Sequence, residues 1–313
     1  MDNLVTQVRD TKDVELLVLD NASRDDTEEV VKLYGQDLEN IRYFKNERNV
    51  GYSGNQAKCF ERASGKYIGI LSDDDVYTEG LVDDILALIN TRDFSFIALN
   101  YYSFTDSIDK PYKVDFAPER DVTFTRAYDI LNYPSVGHYS GFIFNSSLAK
   151  QELSSILATR PIESFEKYRG VMSDVAHRML SKAELPSYFY GRRKLANRIP
   201  LETDYDDLNH QCLDYYEYFI NLYAEGLIKE KDLEYRRKLV LSRLPRAIVV
   251  DSRNRSREEM LDISRRSDSY FGFNHRYRQI SRPLLRISQF KPVRDIFRYL
   301  YLLVHSFKHR FRK

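Results

Sequence analysis

The sequence predicts an α/β protein: a three-layer α/β/α domain with a mostly parallel sheet, followed by a helical C-terminal region. Two observations support this fold class. Apolar strand patterns and helical patterns alternate along roughly the first hundred residues, which is typical of a parallel sheet covered by helices. After residue 145 helical patterns dominate, and only one short strand pattern, Ser187–Tyr190, interrupts them. We therefore expect a sheet domain over residues 1–200 and a helical region over residues 201–313.

The predicted elements of the sheet domain follow one another closely. Strand patterns lie at Val14–Leu19, Ile41–Phe44, Tyr67–Leu71, Phe94–Tyr101 and Gly141–Phe144. Helical patterns lie at Asn3–Val8, from Asp25 or Asp26 to Leu33, at Gly54–Ala63 and at Glu79–Asn90. The run Tyr67–Leu71 is continuously rather than alternately apolar, so we predict a strand that is covered on both faces.

The predicted helices of the second half are longer. They lie at Ser146–Ala158, Ser173–Ala183, Asp204–Ala224, Glu230–Leu241 and Arg253–Arg265. No internal repeat or low-complexity linker separates them from the sheet domain.

Composition excludes several classes of protein. The 313 residues are 42% hydrophobic and 30% charged, which is ordinary for a soluble globular protein. The two cysteines, Cys59 and Cys212, are too few for a disulfide framework or a cysteine-based zinc site. The sequence also has no apolar signal core and no apolar run of about 20 residues that could span a bilayer. A cytoplasmic protein is therefore expected.

Three adjacent carboxylates, Asp73, Asp74 and Asp75, follow the predicted strand Tyr67–Leu71. Like charges at this spacing repel one another unless a cation offsets them, and hard oxygen ligands suit Mg²⁺ or Mn²⁺. The alternative is a solvated acidic turn that precedes a helix, where negative charge is favourable.

A second strand pattern, Val14–Leu19, also ends in a carboxylate, Asp20, and a polar segment runs from Asn21 to Thr27. Parallel sheets bind ligands beyond the carboxyl ends of their strands. We therefore predict a polar ligand site at this edge of the sheet.

Read together, Val18–Thr27, Asn49–Asn55 and Leu71–Asp75 resemble the corresponding motifs of family 2 nucleotide-sugar glycosyltransferases of the GT-A fold, in the same order and at matching spacing. The resemblance covers roughly residues 1–190 and is greatest to bacterial transferases that build surface polysaccharides. It implies an inverting, metal-dependent enzyme that moves a sugar from a nucleotide-sugar donor to a polysaccharide or lipid-linked oligosaccharide.

The resemblance also implies roles for individual residues. The implied nucleotide-sugar-binding residues are Asp20, Asn21, Asn49, Gly51, Asn55, Asp73 and Asp74. Among them Asp20 would accept hydrogen bonds from the donor's base. Asp75, with Asp73 second, would hold the Mg²⁺ or Mn²⁺ ion. A plain turn at Asn49 and Gly51 is the alternative for that segment.

On the acceptor side, the resemblance implies a general base at the start of a helix. Asp174 is the candidate, because Ser173 stands where many family members have Glu. The alternative for Asp174 is a helix-start charge stabilised by the helix dipole. His138 and Tyr139 fall in the acceptor-side loop, although a structural role is the alternative for His138. His177 either orients Asp174 from the same helix face or is simply packed.

One departure from the family pattern concerns its first strand. Family members begin with an apolar strand that lies centrally in the sheet, whereas this sequence begins inside the helix that normally follows it. We expect the neighbouring strands to lack that partner. A catalytically impaired remnant that serves as a scaffold or partner-binding subunit is therefore the alternative function.

The C-terminal segment is strongly basic. Arg276–Lys313 contains eleven Lys or Arg residues and one acid, Asp295, a net charge of +10, which leaves −9 for residues 1–275. Apolar residues recur there at helical spacing, at Val293, Ile296, Phe297, Leu300, Val304 and Phe307. Basic residues flank them, at Arg294, Arg298, Lys308, Arg310, Arg312 and Lys313.

This pattern predicts an interfacial helix that holds the protein on an anionic membrane, at the inner face of the cell membrane. Packing of the helix on the domain, with a solvated basic face, is the alternative. Nucleic-acid binding is not expected, because no recognised reading module is present.

Overall fold

The structure, a computed structural model, describes residues 1–36, 38–112, 117–159, 170–199, 208 and 212–299. The chain divides into two compact units, Met1–Leu201 and Glu202–Lys313. The first unit combines helices with sheets, and the second is helical in the part that the structure describes. The predicted α/β class is confirmed.

The first unit contains two sheets and helices of two to four turns. Its strands are Leu16–Asp20 (β1), Ile41–Lys45 (β2), Tyr67–Gly69 (β3), Val76–Tyr77 (β4), Phe96–Phe104 (β5), Val122–Phe124 (β6), Phe142–Asn145 (β7) and Ser187–Arg198 (β8). Its α-helices are Asp2–Val8 (α1), Thr27–Gly35 (α2), Gly51–Arg62 (α3), Leu81–Thr91 (α4), Ser146–Thr159 (α5) and Val171–Lys182 (α6).

The strand pairing differs from the prediction of a mostly parallel sheet. β1 and β2 form a parallel two-stranded sheet, and the other six strands form a second sheet whose main path is β3-β7-β5-β8-β4, with β6 beside β8. In that second sheet only β5 and β8 are parallel, and the other four pairs are antiparallel. The short strands β4, β6 and β7 follow loops and tight turns rather than the crossover helices that parallel pairing requires. The mostly parallel sheet was therefore a wrong prediction.

The predicted strand Tyr67–Leu71 is shorter and less buried than expected. β3 ends at Gly69, and of its three residues only Ile68 is buried. It lies at the edge of the six-stranded sheet, with β7 as its neighbour. Consecutive residues are buried instead in β5, at Phe96–Asn100, and in β7, at Phe142–Asn145, so these two strands are the ones covered on both faces. Edge position, which an apolar run cannot reveal, explains the difference.

The strand predicted at Ser187–Tyr190 extends to Arg198. The extension carries three consecutive cationic residues, Arg192, Arg193 and Lys194. In a sequence, such a charged run usually indicates a solvated loop. In the structure Lys194 binds Asp84, with 2.8 Å between Nζ and Oδ2, and Arg193 binds Glu119, with 2.5 Å between Nη1 and Oε1. These ion pairs allow a charged segment to continue the strand beside β5.

The second unit packs its helices around one core. Its α-helices are Asp214–Ala224 (α7), Glu230–Asp251 (α8), Arg257–Phe271 (α9) and Arg282–Ile287 (α10), with a π-helical turn at Tyr277–Ser281 and a helical segment at 291–299. The core includes the buried residues Leu213, Tyr216, Leu244, Ile248, Met260, Phe271, Tyr277 and Leu285. α8 runs past its predicted end and includes Pro245.

Parts of two predictions fall outside the described residues. They are the start of the predicted helix Asp204–Ala224, and Leu300, Val304, Phe307 and the basic residues from Lys308 onward. Among the helices of the described ranges, none combines the length and apolarity that a membrane span needs.

Candidate active site

Asp20 ends strand β1 and is held by donors from the neighbouring strand and the following turn. The hydroxyl of Tyr43 donates to Oδ2 at 2.6 Å, and the backbone N–H of Ser23 donates to Oδ1 at 2.7 Å. The ammonium of Lys45 lies 3.6 Å from Oδ2. Burial works to raise the pKa of Asp20, but these donors outweigh it and hold the pKa at about 2.

These contacts occupy the carboxylate oxygens of Asp20, which the family resemblance expects to accept hydrogen bonds from the base of the donor. Its side chain is fully buried, and both carboxylate oxygens already accept hydrogen bonds. A nucleotide base could reach the carboxylate only if Tyr43 moved aside. In this conformation Asp20 joins the end of β1 to strand β2 and to the turn that follows β1.

Next to Asp20, asparagine side chains form a hydrogen-bonded cluster, which we call the amide cluster: Asn21, Asn46, Asn49 and Asn55. The amide of Asn46 donates to Oδ1 of Asn55 at 2.8 Å and to Oδ1 of Asn21 at 3.1 Å. The amide of Asn21 donates to Oδ1 of Asn49 at 2.9 Å and to the carbonyl of Gly51 at 3.3 Å. The cluster joins the ends of β1 and β2 to the start of α3, so three of the predicted nucleotide-binding residues lie together beside Gly51.

Two residues of this part of the site, Asn46 and Lys58, were not predicted from the sequence. Asn46 is buried at the centre of the amide cluster, and the ammonium of Lys58 donates to its Oδ1 at 2.9 Å. The position of Asn46, directly after strand β2, was the signal that could have identified it, because the other strand ends carry site residues.

Gly51 begins helix α3 with a φ of 76°, a conformation that glycine adopts without strain. Its N–H donates to Oδ1 of Asn49 at 2.8 Å. The next residue, Tyr52, is 48% exposed, and its ring centroid lies 6.3 Å from that of Tyr139. This aromatic contact brings the predicted nucleotide side and the predicted acceptor side of the site together.

Asp75 is the most highly coordinated carboxylate of the site. Its Oδ2 accepts from the hydroxyl of Ser140 at 2.5 Å, and it lies 2.7 Å from Nε2 of His138. Its Oδ1 accepts from the backbone N–H of Arg198 at 2.9 Å and from the amide of Asn197 at 3.1 Å. Because an ionised carboxylate can only accept, the Nε2 atom of His138 carries the proton in this contact.

Burial works to raise the pKa of Asp75, but the hydrogen bond and charge of His138 and the hydrogen bond of Ser140 outweigh it and lower that pKa. Asp75 is 6% exposed. It is therefore a fixed, buried anion at the junction of three chain segments.

The other two acids of the run differ from Asp75. Asp73 and Asp74 are exposed. Partial shielding of the carboxyl from water, followed by the negative charge of Asp75, raises the pKa of Asp74. Negative charge therefore accumulates at residues 73–75, as the sequence predicted.

The acceptor-side residues His138 and Tyr139 lie in a tight turn that precedes β7. The ring of His138 packs against Tyr101, with 5.2 Å between centroids. The following Ser140 is wholly buried and accepts from the N–H of Ser72 at 3.0 Å. The turn is thereby attached to the acidic segment, which makes His138 a partner of Asp75 rather than an isolated structural histidine.

Asp174 lies in the first turn of α6, as predicted, and is 6% exposed. The Nε–H of Arg178 donates to its Oδ1 at 2.7 Å. Nδ1 of His177 lies 2.9 Å from the hydroxyl of Tyr128, and both of these side chains are buried. His177 is therefore packed, and Arg178 contributes to holding Asp174.

Ser140, Asn197 and Arg198 were not predicted as site residues. Asn197 and Arg198 end strand β8, which the sequence predicted to stop at Tyr190. The parallel register of β5 and β8 sets Asn197 opposite Ser103, and the hydroxyl of Ser103 donates to Oδ1 of Asn197 at 3.2 Å. Only this pairing shows that a residue 122 positions after Asp75 reaches its carboxylate.

The carboxylates of residues 73–75 are partly suited to bind a divalent cation. Three adjacent carboxylates, with the pKa of Asp74 raised by partial burial and by its neighbours, form a donor set that a hard cation would stabilise. Asp73 and Asp74 are exposed to such an ion, whereas Asp75 could bind it only by exchanging one of its present donors. Within the described ranges, no three or more His, Cys, Asp or Glu side chains are grouped as metal ligands.

Comparison with known proteins agrees with this geometry. Residues 1–150 match the family model described as Glycosyl transferase family 2. A segment of 85 residues is 35% identical to the GalNAc(5)-diNAcBac-PP-undecaprenol beta-1,3-glucosyltransferase of Campylobacter jejuni, covering 27% of this chain and 28% of that protein. A segment of 106 residues is 34% identical to an uncharacterized glycosyltransferase of Methanocaldococcus jannaschii, covering 34% of this chain and 36% of that protein. The matched segments thus span about a third of these relatives.

Solved structures match over a longer range. The structure of S. aureus TarS 1-349 in complex with UDP aligns with a TM-score of 0.58 and 14% identity, over 95% of this chain and 86% of that one. The complex of the same fragment with UDP-GlcNAc gives the same values. At this identity the likeness concerns the fold alone, and it confirms the fold that the sequence motifs implied.

Proposed function

We propose that the protein transfers a sugar from a nucleotide-sugar donor to a saccharide or lipid-linked acceptor, with inversion at the anomeric carbon, because residues 1–150 match the model of glycosyl transferase family 2. One observation carries this proposal. The buried carboxylate of Asp75 is hydrogen-bonded to His138 at 2.7 Å, which joins the acidic donor-side segment to the acceptor-side turn.

The donor would lie along the ends of β1 and β2 and the start of α3. There the exposed side-chain amide of Asn49 offers hydrogen-bonding groups to a nucleotide, and Tyr52 offers an exposed ring. The other members of the amide cluster and the backbone of Gly51 hold Asn49 in place. Asp73 and Asp74 would face the ribose and the diphosphate. Asp20 would support this surface from below, since its own oxygens accept from Tyr43 and Ser23.

The acceptor would be activated by Asp174. As general base, its carboxylate takes the proton of the acceptor hydroxyl while that oxygen bonds to the anomeric carbon. The bond from this carbon to the diphosphate oxygen of the donor breaks, and a nucleoside diphosphate leaves. Arg178 holds Oδ1 of Asp174 at 2.7 Å and so keeps the base oriented.

We also propose Mg²⁺ or Mn²⁺ as the cofactor, held by Asp73 together with Asp75. Such an ion, when bound, neutralises negative charge that grows on the departing diphosphate. Asp75 would exchange the His138 hydrogen bond for the cation, and Ser140, Asn197 and Arg198 would keep its carboxylate in place.

One of the relatives supports a lipid-linked acceptor. The name of the Campylobacter jejuni relative includes an undecaprenol diphosphate carrier, and the strongly basic C-terminal segment of this chain is complementary to an anionic lipid surface. We therefore propose a peripheral location on the inner face of the cell membrane.

A scaffold or partner-binding role is the second candidate. It is favoured by the carboxylates of Asp20 and Asp75, whose oxygens are already engaged by protein donors. If these contacts persist in solution, neither a base nor a metal ion displaces them, and the site stays closed to a donor.

A thermal-shift screen of nucleotides and nucleotide sugars, with and without Mn²⁺, separates the two candidates. A ligand that binds only the folded protein at a hundred times its Kd stabilises it by about 2.7 kcal/mol, which is readily measured. The enzyme proposal predicts that one nucleotide class raises the Tm more with Mn²⁺ than without it. No shift with any nucleotide would favour the scaffold.

A further inference from the structure

The segment from Arg276 to Lys291 has one buried side and one exposed side. Tyr277, Ser281, Leu285 and Ser288 are all buried, and they recur every three or four residues. Tyr277 and Leu285 belong to the core of the second unit. The inward side therefore accounts for the packing of this segment.

The outward side combines cations with large apolar side chains. It includes six exposed residues, which we call the outer face: Arg276, Ile280, Arg286, Ile287, Phe290 and Lys291. Ile280 is 42% exposed, Ile287 is 43% exposed and Phe290 is 62% exposed. Apolar groups of this size are normally buried, so their grouping within eleven positions marks an interaction surface.

The cations of the outer face are not neutralised by the protein. In the part of the chain that the structure describes, Arg276, Arg286 and Lys291 form no ion pair. Two neighbouring arginines are engaged: Arg282 binds Asp268 at 3.0 Å, and Arg294 donates to the carbonyl of Gln289 at 2.8 Å. The outer face thus presents unpaired positive charge around exposed apolar groups.

We propose that the outer face docks the protein on an anionic lipid bilayer. The isoleucines and Phe290 would enter the boundary between headgroups and acyl chains, and the three cations would contact anionic headgroups. An acidic protein surface could satisfy the cations but would not explain three separate apolar side chains. This docking rests on the proposed function, because a protein that acts on a lipid-linked acceptor must reach that acceptor at a membrane.

The outer face lies within the basic segment Arg276–Lys313 that the sequence predicted to bind the membrane, but it precedes the interfacial helix that was predicted from Val293 onward. A chain that ends near Ser288 would therefore keep Arg276, Ile280, Arg286 and Ile287, and would retain part of its affinity for anionic vesicles.

The test is sedimentation of the full chain with two kinds of vesicle, phosphatidylcholine alone and phosphatidylcholine with phosphatidylglycerol in equal parts. The common background replaces Lys308, Arg310, Arg312 and Lys313 with glutamine, so that cations outside the outer face do not dominate. On this background we compare Arg276→Gln/Arg286→Gln/Lys291→Gln with a control, Arg243→Gln/Arg246→Gln/Arg257→Gln. The control removes three exposed cations from α8 and α9, so both variants have the same net charge.

The proposal predicts binding to the anionic vesicles, weaker binding at high salt, and no binding to phosphatidylcholine alone. With about 1 kcal/mol for each surface cation, loss of three lowers the affinity about 100-fold in the outer-face variant, whereas the control loses much less. A third variant, Ile280→Gln/Ile287→Gln/Phe290→Gln, should also bind weakly, although all its cations remain. Because the replaced side chains are exposed, all variants should unfold at the same urea concentration as the parent.

Three results would overturn the proposal: no sedimentation of the parent with anionic vesicles, equal losses in the two glutamine triples, or a lipid-free dimer that the apolar triple dissociates. Nucleotide-sugar binding, measured on the same samples, keeps this outcome separate from the proposed function. Donor binding without vesicle binding rejects the outer face alone, and vesicle binding without donor binding rejects the transferase alone.

Discussion

Nε2 of His138 lies 2.7 Å from Oδ2 of Asp75, although the two residues are 63 positions apart in the chain. The same carboxylate accepts from Ser140, Asn197 and Arg198. One acid thus fastens the acidic segment to the turn before β7 and to the end of β8. Its removal should be felt in stability as well as in ligand binding.

We expect Asp75→Asn to lower the free energy of unfolding by about 3 kcal/mol, because the NH₂ group of the amide would face hydrogen-bond donors that now bind the carboxylate, among them the hydroxyl of the wholly buried Ser140. Urea unfolding at neutral pH measures this change. The matched control is Asp73→Asn at the exposed neighbour, which should stay within about 0.5 kcal/mol of the wild type. Equal stability of the two variants would show that the hydrogen bonds around Asp75 contribute nothing.

Asp20 gives a prediction about pH. Its pKa is held at about 2 in the folded protein, against an ordinary value of 3.8, so it stabilises the fold at neutral pH, and that contribution is lost as the pH falls from about 4 to about 2. Allowing for solvent screening, we expect about 1–2 kcal/mol. The unfolding free energy of Asp20→Asn should therefore depend less on pH in this window than that of the wild type. The matched control is Asp13→Asn, at an exposed position. Parallel pH profiles of the wild type and Asp20→Asn would contradict the paired state of Asp20.

Gly191 gives a purely structural prediction. A Cβ atom at this position would lie 2.4 Å from the backbone N and C atoms of Arg120. Gly191→Ala should therefore force β8 away from that segment and cost about 2–3 kcal/mol. Gly137→Ala is the control, because no atom lies within 4 Å of its Cβ position. Similar thermal stability of both variants would mean that the close approach at Arg120 is not present in solution.

Asp174 separates catalysis from binding. As the proposed general base, it acts on the acceptor hydroxyl, so Asp174→Asn should lower kcat about 10²–10⁴-fold and leave donor affinity unchanged. Single-turnover kinetics and titration calorimetry with the donor found by the screen measure the two quantities. A comparable loss of donor affinity would move Asp174 from the acceptor side to the donor side of the site.

Local patterns predicted much of the candidate site. Apolar runs followed by acids located Asp20 and the acidic segment at residues 73–75, because a carboxylate that ends an apolar run lies where the chain leaves the core. The motif Asn49–Asn55 was expected beside Asn21, and the structure joins the two segments through the amide cluster. These inferences needed only neighbours in the sequence and the order of three motifs.

What the sequence could not provide was pairing between distant segments. Asn197 reaches Asp75 only because β8 continues past three cationic residues and lies beside β5. That continuation depends on ion pairs with distant carboxylates, such as Asp84 in helix α4. The Tyr43 hydroxyl closes over Asp20 because β1 and β2 pair in parallel. Similarly, the edge position of β3 follows from the order of the strands and not from its own residues.

The proposed nucleotide-sugar transfer depends on the acidic segment at residues 73–75. The most direct measurement is the release of nucleoside diphosphate from a panel of nucleotide sugars in the presence of Mn²⁺, with water as the acceptor. We predict release from at least one donor by the wild type and by the exposed control Asp13→Asn. Asp73→Asn, which should remain fully folded, should be slower by at least about 10-fold. No release from any donor, or equal rates for Asp73→Asn and Asp13→Asn, would contradict this account.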